Sequence, residues 1–178
     1  MSSISSAPGP PEPEIIAIAC DHAGFGLKVE IVKLLREMQV EFDDLGCASA
    51  EESVHYPLFG KKVVDAMLAR PGSRGILICG TGLGMSIMAN RFPGIRAALC
   101  HDLFTTIMSR RHNNANLLVM GGRVIGPDLG REIVRTWLNT SFEGGRHQER
   151  LELLEQLARM PHLAGEQHDG SPGRSGPH

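Results

Sequence analysis

The run "GILICGTGLGMS", Gly75 to Ser86, breaks from an apolar stretch into glycines with a cysteine and a threonine at the break. A thiol at the mouth of a glycine-rich loop suits a redox centre, a nucleophile, a phosphate cradle or a general base. Gly80, Gly82 and Gly84 leave backbone N–H groups able to point at an anion. Cys79 beside them stands where free amides and a helix N-terminus favour a thiolate. The competing reading is an inert cysteine packed under the loop, since cysteine is among the most buried residue types. The glycines follow G-x-G-x-G rather than the dinucleotide pattern, and the G-K-[ST] of a nucleoside triphosphate loop is absent. A small anion or an oxyanion remains.

Other polar groups fall into a few short stretches. "CDHAGFG" carries Asp21 and His22, and "RRHNNAN" carries His112 beside Asn113, a pairing that suits a proton shuttle with a hydrogen-bonding neighbour. Arg123 follows a glycine pair, and "EGGRHQER" sets Arg146 and Arg150 four apart, on one face of a helix. Surface arginines are usually solvated, but paired arginines with a histidine and a glycine loop suit a phosphate ester. In "CHD", Cys100, His101 and Asp102 read as packing, turn and cap residues. Cys47, His55 and His147 are given no chemistry beyond loop, packing and helix-start roles.

These stretches need a scaffold, and the apolar periodicity supplies one. "IIAIAC" reads as a buried strand, followed by a helix with Leu27, Ile31, Leu34, Leu35 and Met38 on one face. A weaker strand "VEFDDLG" comes next, then a helix opened by Pro57, the strand Gly75 to Cys79, and a short helix through "MSIMANRF". "IRAALC" and "NLLVMGG" are the fourth and fifth strands around the helix "DLFTTIMSRRH", and two helices, "PDLGREIVRTWL" and "HQERLELLEQLARM", close the chain. Strands alternating with helices imply right-handed crossovers and a Rossmann-like three-layer α/β sandwich on a five-stranded parallel sheet. Ligands bind such sheets at the carboxyl ends of the strands, which is where Asp21, His22, Cys79 and Arg123 fall.

Composition bounds the rest. The 178 residues suit one domain, expected over 14–160, between a Ser/Pro-rich tail at 1–13 and a Gly/Pro/His-rich tail at 161–178, both expected to be disordered. Tail residues His162, His168 and His178 read as incidental rather than as a metal site. A net charge of -2 gives no reason to expect nucleic acid or an anionic membrane as partner. No segment reads as a secretory signal or a membrane span, so a cytoplasmic protein is expected. Cys20, Cys47, Cys79 and Cys100 form no C-x-x-C, which argues against a disulfide frame, a zinc knuckle or a dithiol pair.

"CDHAGFGLK", "ICGTGLGMSIMANR", "RRHNNAN", "GGRV" and "GGRHQER" stand in an order and spacing that resembles the type B ribose-5-phosphate isomerases of the ribose/galactose isomerase family, over about residues 14 to 159. The resemblance implies an aldose-ketose isomerase of the pentose phosphate pathway that interconverts ribose 5-phosphate and ribulose 5-phosphate without metal or cofactor. It implies that Asp21 holds sugar hydroxyls, that His112 opens the furanose ring with Asn113 in support, and that Cys79 moves a proton between C2 and C1. Thr81 would assist at the ring oxygen or hydroxyls, and Gly80, Gly82, Gly84 and Ser86 would form an anion hole. His22, Arg123, Arg146 and Arg150 would grip the phosphate.

A dimer, often a tetramer, is implied too, with His112, Asn113 and Arg123 reaching the site from the neighbouring subunit. Some family members use a loop carboxylate as base, but here the loop carries Met85 and no acid, so cysteine chemistry is expected. The rivals are isomerisation of a hexose 6-phosphate such as allose or galactose 6-phosphate, a non-catalytic sugar-phosphate sensor, and a cysteine hydrolase using Cys79 and His112. The last ranks lowest, because arginines and an anion hole suit a phosphosugar better than an acyl chain.

Overall fold

The structure, a computed structural model, describes residues 15–160. Both expected tails, 1–13 and 161–178, lie outside the described residues. The chain divides between Gly144 and Gly145 into two compact units.

In the first unit the elements run β1 (Ile16–Cys20), α1 (Phe25–Glu37), β2 (Phe42–Asp44), α2 (Tyr56–Ala69), β3 (Gly75–Cys79), α3 (Leu83–Ala89), β4 (Ala97–Leu99), α4 (Leu103–Arg111), β5 (Leu117–Gly121) and α5 (Pro127–Asn139). The second unit contributes α6 (Arg146–Arg159). Five parallel strands pair in the order β2-β1-β3-β5-β4. The alternation read from the sequence is therefore the fold that forms.

The three central strands, IAIAC, GILIC and LLVMG, are buried at every residue, as a parallel sheet covered on both faces requires. Their period-two alternation sorts side chains between two cores. Ile16, Ile18, Cys20, Ile76, Ile78, Leu118 and Met120 enter the layer shared with α1 and α5. Ala17, Ala19, Leu77, Cys79, Leu117 and Val119 enter the layer shared with α2 and α3. Each fully buried aliphatic side chain contributes about 1.5–3 kcal/mol.

Trp137 of α5 is wholly buried, with the guanidinium groups of Arg74 and Arg110 lying 5.2 and 5.5 Å from its ring. These contacts tie the amino edge of the sheet to α4 and α5. The edge strands β2 and β4 are three residues each, shorter than their sequence patterns, because a strand with one neighbour gains ladder bonds on one side only.

Strand order decides where a ligand can enter. From β1 the chain moves one way to β2 and then crosses back to β3, which opens a crevice between the carboxyl ends of β1 and β3. The turns that leave those two strands carry Asp21, His22 and Gly80 to Gly82. Among the described residues no helix is long and apolar enough to cross a membrane.

Candidate active site

Cys79 is the last residue of β3, is 5 % exposed, and directs its sulfur into the α2/α3 layer. Just beyond it the chain turns through Gly82, at φ +78°, into α3. That left-handed turn brings the Gly82 N–H onto Cys79 Sγ at 3.1 Å. A main-chain donor thus points at the sulfur, the arrangement that a negatively charged thiolate requires.

Thr81 lies exposed at the mouth of the turn, and its Oγ1 accepts the Leu83 N–H at 3.4 Å. Glycine is needed at position 82: a Cβ there would strike Leu99 Cδ1 and come within 3.1 Å of the Met120 carbonyl carbon. Gly82→Ala is therefore expected to destabilise the fold by about 2–3 kcal/mol through strain and overpacking. It should also move the amide off the sulfur, so thermal melting and turnover should fall together.

The turn after β1 is packed equally tightly. Asp21, 6 % exposed, accepts the Gly24 N–H on Oδ1 at 2.9 Å, and its own N–H donates to the Ile78 carbonyl at 3.2 Å. Gly24 lies against the same Ile78 carbonyl, so the Asp21 turn rests directly on the strand that ends in Cys79. His22 Nδ1 accepts the Val54 N–H at 3.2 Å. That bond places the ring proton on Nε2 and makes Nε2–H the group offered to a ligand.

A third turn, after β5, closes the edge. Arg123 donates its N–H to the Gly80 carbonyl at 2.9 Å, and its Cδ and Nε lie 3.6 and 3.8 Å from the point a Cβ on Gly80 would occupy. Arg123 therefore flanks the glycine turn of its own chain, where the resemblance implied that it reaches the site from a neighbouring subunit. The physical reason is the ladder: Cys79 pairs with Gly121, so the two turns that follow must be adjacent.

Two residues at this edge make contacts that the sequence did not signal. The Tyr56 ring lies over Gly84 in the opening turn of α3, with Cζ and Oη 2.6 and 3.0 Å from where a Cβ would sit. Only the crossing of α2 over α3 makes that contact, so no local pattern signals it. His101 Nε2 accepts the Gly121 N–H at 3.0 Å, while Asp102 caps α4 and Cys100 is buried, the roles read for those two.

Burial holds the His101 pKa below its ordinary value of 6.5, with Asp102 opposing. A depressed histidine contributes stability in full above 6.5, and the contribution is lost as pH falls below it and the imidazole must charge. His101→Gln, which can still accept the Gly121 N–H but cannot titrate, is expected to flatten the fall in melting temperature between about pH 7 and pH 5.

Not every expected site residue reaches this edge within one chain. Gly84 and Ser86 do, in the first turns of α3, where Ser86 donates its N–H to Gly82 at 3.0 Å. His112 and Asn113 do not. α4 starts at Leu103, just past the carboxyl end of β4, and runs back to end at Arg111, shortly before β5 begins at Leu117. His112 therefore caps α4 at the amino edge of the sheet, with Nε2 3.8 Å from Glu143 Oε2. Arg146 and Arg150 are exposed on α6 in the second unit, one turn apart on one face.

Grooves elsewhere are separate from the cysteine. One at the amino edge is lined by residues including Arg70, Arg74, Arg96 and Arg110, and another lies beside α4 and α5. Arg74 and Arg110 spend their donors on the carbonyls of Leu138, Thr140 and Ala115, which marks that first groove as structural.

A buried thiol under a main-chain donor, a buried carboxylate, a histidine donor and an arginine thus share the switch point of a parallel sheet. This set can hold a hydroxylated anion and move a proton on carbon. Residues 16–154 match the sequence profile of the Ribose/Galactose Isomerase family. Ribose-5-phosphate isomerase B of Escherichia coli (strain K12) is 48 % identical over 142 residues, 80 % of this chain and 95 % of that protein. D-erythrulose-4-phosphate isomerase of Pectobacterium atrosepticum is 40 % identical over 139 residues, 78 % of this chain and 91 % of that protein. The crystal structure of a ribose 5-phosphate isomerase from Thermotoga maritima is 50 % identical and superimposes with a TM-score of 0.77, covering 80 % of this chain and 98 % of that one. The chain belongs to the ribose/galactose isomerase family. It is a sugar phosphate isomerase.

Proposed function

We propose that the chain interconverts ribose 5-phosphate and ribulose 5-phosphate with Cys79 as the proton-transferring base. The observation that carries this reading is the Gly82 amide on Cys79 Sγ, one strand away from the buried Asp21 carboxylate. Aldose-ketose exchange needs a base for carbon-bound hydrogen, donors for the oxygen that becomes negative, and a handle distant from both.

Ring opening comes first: His112 takes the anomeric hydroxyl proton as the ring C–O bond breaks, and the ring oxygen gains a proton with Thr81 in support. Asn113 steadies the imidazole, and Asp21 accepts the sugar hydroxyls. The Cys79 thiolate then removes the proton on C2, and the C–H electrons form the C1–C2 double bond of a cis-enediolate. Its charge is held by the amides of the Gly80–Gly84 turn and by Ser86. A proton passes between the two oxygens, and the Cys79 thiol returns its proton to C1, giving the ketose. The phosphate is bound by His22 through Nε2–H and by Arg123, Arg146 and Arg150.

Because α4 sets His112 at the edge opposite Cys79, the reading includes a second copy of the chain that supplies His112 and Asn113. Exposed apolar side chains at the carboxyl edge support such an assembly: Leu83 and Ile87 of α3, Phe104 of α4 and Val124 are all more than half exposed. Apolar side chains this exposed gain by burial against a second copy.

The substrate is tested by comparing kcat/KM for ribose 5-phosphate, D-erythrulose 4-phosphate and allose and galactose 6-phosphates, without added metal. Ribose 5-phosphate is expected to be preferred. A higher value for the four-carbon or a six-carbon substrate would transfer the assignment to that sugar and keep the site chemistry.

A further inference from the structure

We propose that Cys20 and Cys47 form a peroxide-sensitive dithiol that closes to a disulfide and loosens the grip of Asp21 and His22 on substrate. The sulfurs lie 3.7 Å apart, and both are buried. Their main chains are already joined, since the Cys47 N–H donates to the Cys20 carbonyl at 3.2 Å. A ladder contact of this kind holds Cα atoms about 5 Å apart, inside the range that disulfides accept, and a bond of about 2.0 Å needs only about 1.7 Å of approach between the sulfurs.

Cys79 is not part of this pair. Cys20 sits at an alternate strand position and enters the α1/α5 core with Cys47, whereas Cys79 enters the α2/α3 core on the other face of the sheet. The two thiols also differ. Cys20 is fully enclosed, and its burial pushes the thiol strongly up, with Lys28 opposing. Cys47 lies in the β2–α2 connection, is 6 % exposed, and is flanked by exposed Ala48 and Ala50. The Lys28 ammonium, which pairs with Asp44 at 2.8 Å, also donates to the Cys47 carbonyl at 3.0 Å and keeps a positive charge beside the pair.

The chemistry balances with hydrogen peroxide as oxidant. Cys47 sulfur attacks one peroxide oxygen, the O–O bond breaks, and the departing hydroxide takes the thiol proton as water, leaving Cys47 sulfenic acid. Cys20 sulfur then attacks the Cys47 sulfur, the S–O bond breaks, and the hydroxide leaves with the Cys20 proton as a second water. Two thiols lose two electrons, and one peroxide becomes two waters. A thiol reductant reverses the step by exchange.

The pair is wired to the site through the chain itself. Cys20 is bonded to Asp21, and the Cys47 loop continues to Val54, whose N–H fixes His22 Nδ1. Pulling the sulfurs together draws both ends of this clamp. The regulatory consequence rests on the assignment of Asp21 and His22 to substrate binding; the disulfide itself does not.

The test treats the full chain with a small excess of hydrogen peroxide, blocks remaining thiols, and maps peptides without reduction. A Cys20–Cys47 cross-linked peptide is expected, with any oxidation of Cys79 read on its own peptide and as a loss of kcat, and KM for ribose 5-phosphate raised about fivefold or more and restored by dithiothreitol. Cys47→Ala should keep basal turnover, form no cross-link and hold its KM under the same treatment. Cys20 and Cys47 both recovered as free thiols after peroxide, with reduced-enzyme turnover intact, would overturn the proposal. A cross-link that leaves KM unchanged would overturn its regulatory half. Absence of turnover in the reduced enzyme would instead count against the substrate assignment, and the peptide map would still read the disulfide.

Discussion

Cys79→Ala is expected to lower kcat for ribose 5-phosphate by about 10³-fold while leaving affinity for inorganic phosphate near that of the parent chain. Removing a general base that works directly on carbon costs about 10²–10⁴ in rate. The glycine turn and α3 offer no replacement for the sulfur: they carry Thr81, Ser86 and the buried Met85, none of them a base at neutral pH. The substitution removes one sulfur from a site that is 5 % exposed, so some stability is lost and circular dichroism must show the variant folded. Phosphate affinity separates the explanations. It survives if Cys79 performs chemistry, and falls if the cysteine merely props up the glycine turn. A variant with full turnover would move the base elsewhere, and a parent chain with no turnover would make it a sensor-like binder.

The second large effect concerns His112, which one chain holds at the amino edge of its sheet, away from its own Cys79. His112→Ala alone is expected to reduce turnover by about 10²-fold or more, as loss of a proton shuttle does. The telling experiment is a mixture. When Cys79→Ala and His112→Ala chains are unfolded together and refolded, each mixed dimer has one site with both defects and one site with neither. About a quarter of the parent activity should then return at equal amounts, assuming random pairing. Recovery near zero would mean that both groups serve the same chain's site, which would require α4 to reverse its direction across the sheet. Sedimentation of the unmixed proteins provides the control on assembly.

Much of this was legible in the residues. IAIAC, GILIC and LLVMG are short and rich in apolar side chains, and a strand followed by G-T-G and a helix places Cys79 at the ligand edge from the sequence alone. What the one-dimensional pattern could not carry was anything set by strand order or helix crossing. Arg123 lies beside Gly80 because β5, not β4, neighbours β3. Tyr56 reaches Gly84 only where α2 crosses α3, and Cys47 meets Cys20 across 27 residues with no motif linking them. His101 reads as a turn residue because its task is a single acceptor bond to a glycine amide 20 positions away. Edge strands were overestimated for a related reason: apolar content predicts burial, and burial at β2 and β4 depends on having a neighbour.

The most direct test of the cysteine as carbon base is the isomerisation of ribose 5-phosphate in deuterium oxide, followed by mass spectrometry and proton magnetic resonance of the ketose. Deuterium at C1 is expected, acquired from solvent through the Cys79 sulfur, with both exchange and isomerisation lost together in Cys79→Ala. Ketose formed without label, or label entering at the parental rate in Cys79→Ala, would contradict a sulfur-borne proton.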